Sequence, residues 1–262
     1  MALRSPQEIL EMSVGAATRK AGLVRRPLLL LTLAMMAGAF IALGGALSVM
    51  AGWGFDDIKA MPSLQKLLSG LTFPIGLVLT VILGAELFTG NNAMMMPAFM
   101  QGKVSGKDVA LNWVAVWSGN FLGALLFGFL LIKATGTLDA SPYRESLISL
   151  AQAKASLPWL TTLLRGIGAN WLVCLAVWLA MSADSLGGKV LGCWIPVAAF
   201  VILGYEHCVA NMFFLPTAMM LGAEIPAPDL WLNLLWATVG NIIGGALFVG
   251  CLHAYAHRPI DL

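Results

Sequence analysis

Long apolar runs dominate the chain, with the polar residues gathered between them. Runs long enough to cross a bilayer fall at about 27–53, 67–100, 109–134, 158–183, 187–221 and 230–254. A bilayer core takes about 20 apolar helical residues, so the pattern predicts an all-α membrane protein of six transmembrane helices. The second and fifth runs are too long for one simple span. Polar groups interrupt both: Glu86, Thr89, Gly90, Asn91 and Asn92 in one, Glu206, His207 and Asn211 in the other, with Pro74 and Pro216 nearby. Lipid cannot satisfy freed backbone N–H and C=O groups, so these two helices are expected to be broken where they line a cavity. Residues 1–26 are polar by contrast. Ser5-Pro6-Gln7-Glu8 has the form of a capping box with proline in the first turn. Ile9, Met12, Ala16 and Leu23 recur at near-helical spacing, which predicts an amphipathic helix along the membrane surface.

The two halves match each other. Ile82-Leu83-Gly84-Ala85-Glu86 parallels Ile202-Leu203-Gly204-Tyr205-Glu206, and Gly119-Asn120-Phe121-Leu122-Gly123 parallels Gly240-Asn241-Ile242-Ile243-Gly244, at offsets of 120 and 121. With three spans per half, the second copy enters from the opposite face. This predicts one transmembrane domain over 1–262, built as an inverted repeat of 27–134 and 158–254 behind the N-terminal helix of 1–26. Paired interrupted spans in such repeats point to a transport site. Gly38, Gly44 and Gly45 in the first span, and Gly240, Gly244 and Gly245 in the sixth, read as helix-packing positions.

Composition agrees with the spans. Apolar residues make up 59% of 262, charged residues 11%, and mean hydropathy is +0.85. Soluble proteins carry about 25% charged residues, so a water-facing surface of ordinary size is excluded. A net charge of +2 gives no reason to expect a nucleic-acid partner. Cys174, Cys193, Cys208 and Cys251 all lie in apolar segments without a CxxC pair and read as buried small hydrophobes. Arg4, Arg19, Lys20, Arg25, Arg26, Lys103, Lys107, Lys189 and Arg258 fall on one side of the predicted topology, against Lys59, Lys66, Lys133, Arg144, Lys154 and Arg165 on the other. The bias, with five charges before the first span, predicts cytoplasmic termini in the cell inner membrane.

Ionisable groups at mid-membrane are costly, which makes Glu86, Glu206 and His207 functional candidates. His207 can titrate near physiological pH and, when charged, donate to an anion. The glutamates could instead hold the non-helical loops. An intramembrane metal-dependent enzyme would need several ligands or a paired nucleophile and base. One mid-membrane histidine, with no HExxH or GxSxG, argues against that, and no cofactor is expected.

Gly84-Ala85-Glu86-Leu87-Phe88-Thr89-Gly90-Asn91 and Gly204-Tyr205-Glu206-His207-Cys208-Val209-Ala210-Asn211-Met212 resemble the two signature stretches of the formate/nitrite transporter family. Asn170 to Trp178 resembles its fourth-span motif, and the similarity runs from about residue 5 to 255. The resemblance implies an aquaporin-like protomer in a homopentamer, with a pore through each subunit. It implies a central histidine, matched by His207, and a hydroxyl, matched by Thr89, between two hydrophobic constrictions. Phe73, Leu77 and Phe200 would form one constriction, with Leu87 and Phe88 near the other. Asn170 and Lys154 match residues toward the outer vestibule, with Glu206 beside the histidine. The implied cargo is a small monovalent anion with a proton. Asn211-Met212-Phe213-Phe214-Leu215-Pro216 is more similar to formate channels than to nitrite ones, with nitrite and hydrosulfide as alternatives. Passive conduction and proton-coupled symport both remain open.

Overall fold

A computed structural model describes residues 3–53 and 61–257. Lys59 and Arg258, counted above for orientation, lie outside the described residues. The chain is helical throughout these, in the order α1 (Pro6–Leu23), α2 (Pro27–Trp53), α3 (Pro62–Thr72), α4 (Ile75–Ile82), α5 (Phe88–Met94), α6 (Met96–Met100), α7 (Gly106–Phe127), α8 (Tyr143–Ala155), α9 (Trp159–Ser182), α10 (Leu186–Leu203), α11 (Cys208–Met220), α12 (Ala227–Ile242) and α13 (Leu252–Ala256). Six continuous helical stretches are long and apolar enough to cross a membrane: Pro27–Trp53, Pro62–Ile82, Gly106–Lys133, Trp159–Ser182, Leu186–Leu203 and Ala227–Ala256.

Helix α1 begins as the sequence predicts. The Ser5 side chain accepts from the Glu8 N–H and the Glu8 carboxylate accepts from the Ser5 N–H, with Pro6 in the first turn. Its buried face, including Ile9, Val14, Ala16 and Ala17, lies on α5, α6 and α7. Beyond α1, Arg4 bonds the Met181 and Ala183 carbonyls and pairs with Asp184, so the N-terminal segment satisfies backbone acceptors left free at the end of α9.

The second and fifth spans are broken, but not by proline. Pro74 sits between α3 and α4 without interrupting the span, and Pro216 lies inside α11. The breaks follow Gly84 and Gly204, whose φ angles of 72° and 70° place them in the left-handed region that a Cβ disfavours. Each ends its helix the same way. Ala85 N–H donates to the Thr80 carbonyl and Tyr205 N–H to the Phe200 carbonyl, a left-handed cap that turns the chain back toward mid-membrane. Short helices α5 and α11 then run from the centre back to the face just reached.

Close helix contacts set the frame. A Cβ at Gly123 would overlap the Met35 carbonyl of α2, and one at Gly244 the Ile167 carbonyl of α9. The same small-residue contact therefore joins α2 to α7 and α9 to the helical continuation of α12 over Ile243–Cys251. Between the third and fourth spans lies α8, which the sequence pattern did not predict.

Candidate functional site

Each break is pinned by a bracket of polar side chains, and the two brackets match residue for residue. In the first half, Lys20 of α1 pairs with Glu86 at 2.8 Å, and the same carboxylate accepts from Asn91 Nδ2 at 2.7 Å. Asn91 also donates to Asn112, which donates to the Lys20 carbonyl. In the second half, Lys154 of α8 pairs with Glu206 at 2.7 Å and Asn211 donates to Glu206 at 2.7 Å. Asn211 also donates to Asn233, which donates to the Lys154 carbonyl. Behind each bracket stands a buried asparagine. Asn120 accepts from the Phe88 N–H and donates to the Ala34 and Glu86 carbonyls. Asn241 accepts from the Cys208 N–H and donates to the Gly166 and Glu206 carbonyls. These are the partners that backbone leaving a helix inside a membrane requires. The glutamates hold the loops, but through lysine and asparagine side chains.

The brackets flank a passage with two vestibules. One, of about 460 Å³, opens on the α1 side and is lined by Arg19, Lys20, Thr80, Glu86, Leu77 and Leu87 among others. The other, of about 290 Å³, opens on the α8 side between Gln65, Lys66, Ser69, Lys154, Tyr205 and Phe214. Between them Ile41, Phe73, Leu77, Leu87, Val173, Val197, Phe200 and His207 close on a gap with no room for a water-sized sphere. Phe73, Phe200 and His207 face both this gap and the α8-side vestibule, whereas Leu77 and Leu87 face the gap and the α1 side. Two constrictions thus lie back to back. Phe73 and Phe200 meet edge to face at 5.6 Å, and Phe200 lies against the His207 ring at 5.8 Å.

His207 is fully engaged. Its Nδ1 accepts the Ala210 N–H at 3.1 Å, capping α11, and its Nε2 lies 3.0 Å from Thr89 Oγ1. A ring nitrogen that accepts carries no proton, so in the neutral ring Nε2–H donates to Thr89. Leu87 occupies the corresponding place in the first half, starting α5 without a side-chain cap.

The structure sorts the expected site residues into two groups. His207, Lys154, Phe73, Leu77, Leu87 and Phe200 all face the passage, but Leu77 stands with Leu87 on the α1 side rather than with Phe73 and Phe200. Thr89 is fully buried and lines none of these three cavities, so it meets the passage only through His207. Glu206 likewise stands behind Lys154. Asn170 is not in the outer vestibule: it is buried, and donates to the Thr89 carbonyl, Asn92 Oδ1 and the Asn241 carbonyl. Phe88 turns away from the constriction toward a lateral groove of about 460 Å³, where it meets Trp113 edge to face at 6.4 Å. The asparagines of the brackets were missed as loop supports. Their signal was present, since Asn91, Asn112 and Asn120 recur as Asn211, Asn233 and Asn241.

Two vestibules, a closed apolar gap and one histidine at the gap define a membrane transport protein of inverted-repeat architecture. Residues 7–255 match the model of the formate/nitrite transporter family, and the chain belongs to that family. It is 40% identical over 241 residues to a probable formate transporter of Methanothermobacter thermautotrophicus, covering 87% of this chain and 88% of that one. Among solved structures it resembles an FNT family ion channel (TM-score 0.88, 32% identity, 95% of this chain and 98% of that one). It also resembles a pentameric formate channel with formate bound (TM-score 0.78, 32% identity, 90% and 99%).

Proposed function

We propose that this chain is a formate channel of the cell inner membrane, one subunit of a homopentamer with a passage through each protomer. The observation that carries this reading is His207, hydrogen-bonded to Thr89 where two vestibules meet a closed apolar gap, in a chain whose solved relatives include a formate-bound pentamer. Its function is transport rather than catalysis. The α1 side, with Arg4, Arg19, Lys20, Arg25, Arg26, Lys103, Lys107 and Lys189, is the cytoplasmic one, which leaves Lys66, Lys133, Arg144, Lys154 and Arg165 outside. The matched brackets support a repeat unit made of one interfacial helix and three spans, α1 with α2–α7 and α8 with α9–α13, inside a single domain.

Crossing an apolar gap costs a bare anion several kcal/mol or more. The resting histidine opposes that passage, because both ring nitrogens are occupied. Formate arriving from a vestibule would take Nε2–H over from Thr89. A second ring proton on Nδ1 would displace the Ala210 N–H, so the charged ring forms only when the anion is there to favour it. With that second proton drawn from vestibule water, transfer of the Nε2 proton to formate gives formic acid, which crosses the gap uncharged. The ring left protonated on Nδ1 returns that proton to water and takes one on Nε2 as its bonds to Ala210 and Thr89 re-form. Uptake of labelled formate into proteoliposomes at two pH values, with unlabelled formate or nitrite as competitor, tests the reading. Formate uptake that rises as pH falls is expected. No labelled formate uptake, with labelled nitrite taken up by the same proteoliposomes, would replace formate with nitrite as the cargo.

A further inference from the structure

The lysine of each bracket is a poor collector of anions, because its charge is already matched. Lys20 stands 2.8 Å from Glu86 and Lys154 2.7 Å from Glu206, so each pair is formally neutral. The leading N–H groups of α5 and α11 are no more available, since Asn120 and Asn241 accept from Phe88 and Cys208. The charged residues lining the α1-side vestibule are Arg19, Lys20 and Glu86. Once the pair is removed from the count, the wall keeps the charge of Arg19, which has no ion-pair partner among the described residues. Arg19 is exposed and folds back beside Gly15, one turn earlier. Nearby, Arg4 is matched by Asp184, while Lys189 belongs to the adjoining cavity.

We propose that Arg19 is the anion-collecting residue of the α1-side vestibule, concentrating small monoanions such as formate ahead of the Leu77 and Leu87 constriction. The inference rests on the reading of the chain as a formate channel. Counting from the paired lysines, the place of Arg19 in α8 is held by Ala153. The α8-side vestibule takes its own cation, Lys66, from the unrelated position on α3. The two mouths are therefore charged by residues that the repeat does not relate, and each can be altered without the other.

A single charge at the wall of a water-filled mouth acts over a Debye length, about 30 Å at 10 mM salt and about 3 Å at 1 M. About 6 Å from such a charge in water, the local anion concentration is raised roughly threefold at low salt and hardly at all at high salt. The test is single-channel conductance in planar bilayers of wild type, Arg19→Gln and Arg19→Lys, in symmetrical sodium formate at about 10 mM and about 1 M. We expect Arg19→Gln to conduct roughly a third as well as wild type at the low concentration and equally at the high one, with Arg19→Lys near wild type at both. Equal conductance of Arg19→Gln and wild type at low formate overturns the proposal. So does a deficit that persists at high formate, which marks a change of structure instead. A wild-type channel silent to formate at both concentrations overturns the functional reading itself.

Discussion

Replacing Lys154 by methionine removes one charge from a pair buried on both sides, with side chains 13% and 2% exposed. Methionine keeps the length and apolar body of the stem, so the chief loss is the ammonium group 2.7 Å from Glu206. Breaking a buried ion pair from one side costs about 3–5 kcal/mol, because the other charge is stranded. At about 3 °C per kcal/mol for a chain of this size, thermal unfolding in detergent should fall by roughly 10 °C. The double variant Lys154→Met/Glu206→Gln strands no charge. A glutamine oxygen can still accept from Asn211, so most of the lost stability should return. Unfolding midpoints of wild type, both single variants and the double variant complete the cycle. If the double variant is as unstable as Lys154→Met, the ion pair is not what the lysine supplies and the bracket argument is wrong. The same four proteins in a flux assay ask a second question. Because the pair is formally neutral before and after, the double variant should carry formate at close to the wild-type rate.

Other outcomes follow from the same geometry. His207→Asn keeps an N-cap acceptor for α11 and should unfold within about 0.5 kcal/mol of wild type, whereas His207→Ala should lose about 1 kcal/mol. Both should lose the pH dependence of formate uptake, and retention of that dependence by either variant would rule out the ring as proton carrier. Phe200→Ala opens the aromatic side of the gap, so acetate uptake should rise several-fold relative to formate in competition assays. Gly204→Ala forces a side chain into left-handed backbone at about 1–2 kcal/mol, seen as a lower midpoint, while the same change at exposed Gly187 should be nearly silent. Hydrogen bonds from Ser5 hold Glu8 below the usual carboxylate range. Its contribution to α1 is therefore present above its unfolded value and lost as pH falls through the lowered one. Hydrogen exchange of the first-turn amides should quicken over that acid interval in wild type and not in Glu8→Gln.

Much of the architecture was legible because hydropathy and the repeat are local signals. The six spans, the two breaks and the central position of His207 all follow from short stretches of sequence. The helix α8 was not legible, since its 13 residues include Arg144, Glu145 and Lys154 and bury few side chains. Its importance lies in one lysine whose partner is 52 residues away. Lys20 was counted only as a topological charge for the same reason, its carboxylate lying 66 residues ahead. Phe88 and Asn170 were set on the wrong surroundings because the facing of α5, seven residues long, depends on Asn120, Asn170 and Cys174 gripping its first turn. The polar residues marked where the spans break, whereas the turn itself is made by the left-handed glycines Gly84 and Gly204.

Leu87 and His207 hold corresponding places in the two halves, and both line the closed gap. A chain that arose by duplication of a single three-span ancestor would have begun with the same residue at both places. Two leucines would have left the gap wholly greasy, without a group able to hand over a proton. Two histidines would have set a pair of rings face to face, each raising the other's cost of charging. Divergence at this one position therefore separates a sealed or self-opposed passage from a working one, and it gives the lineage a direction: symmetry in the scaffold could be kept while symmetry at the centre had to be lost.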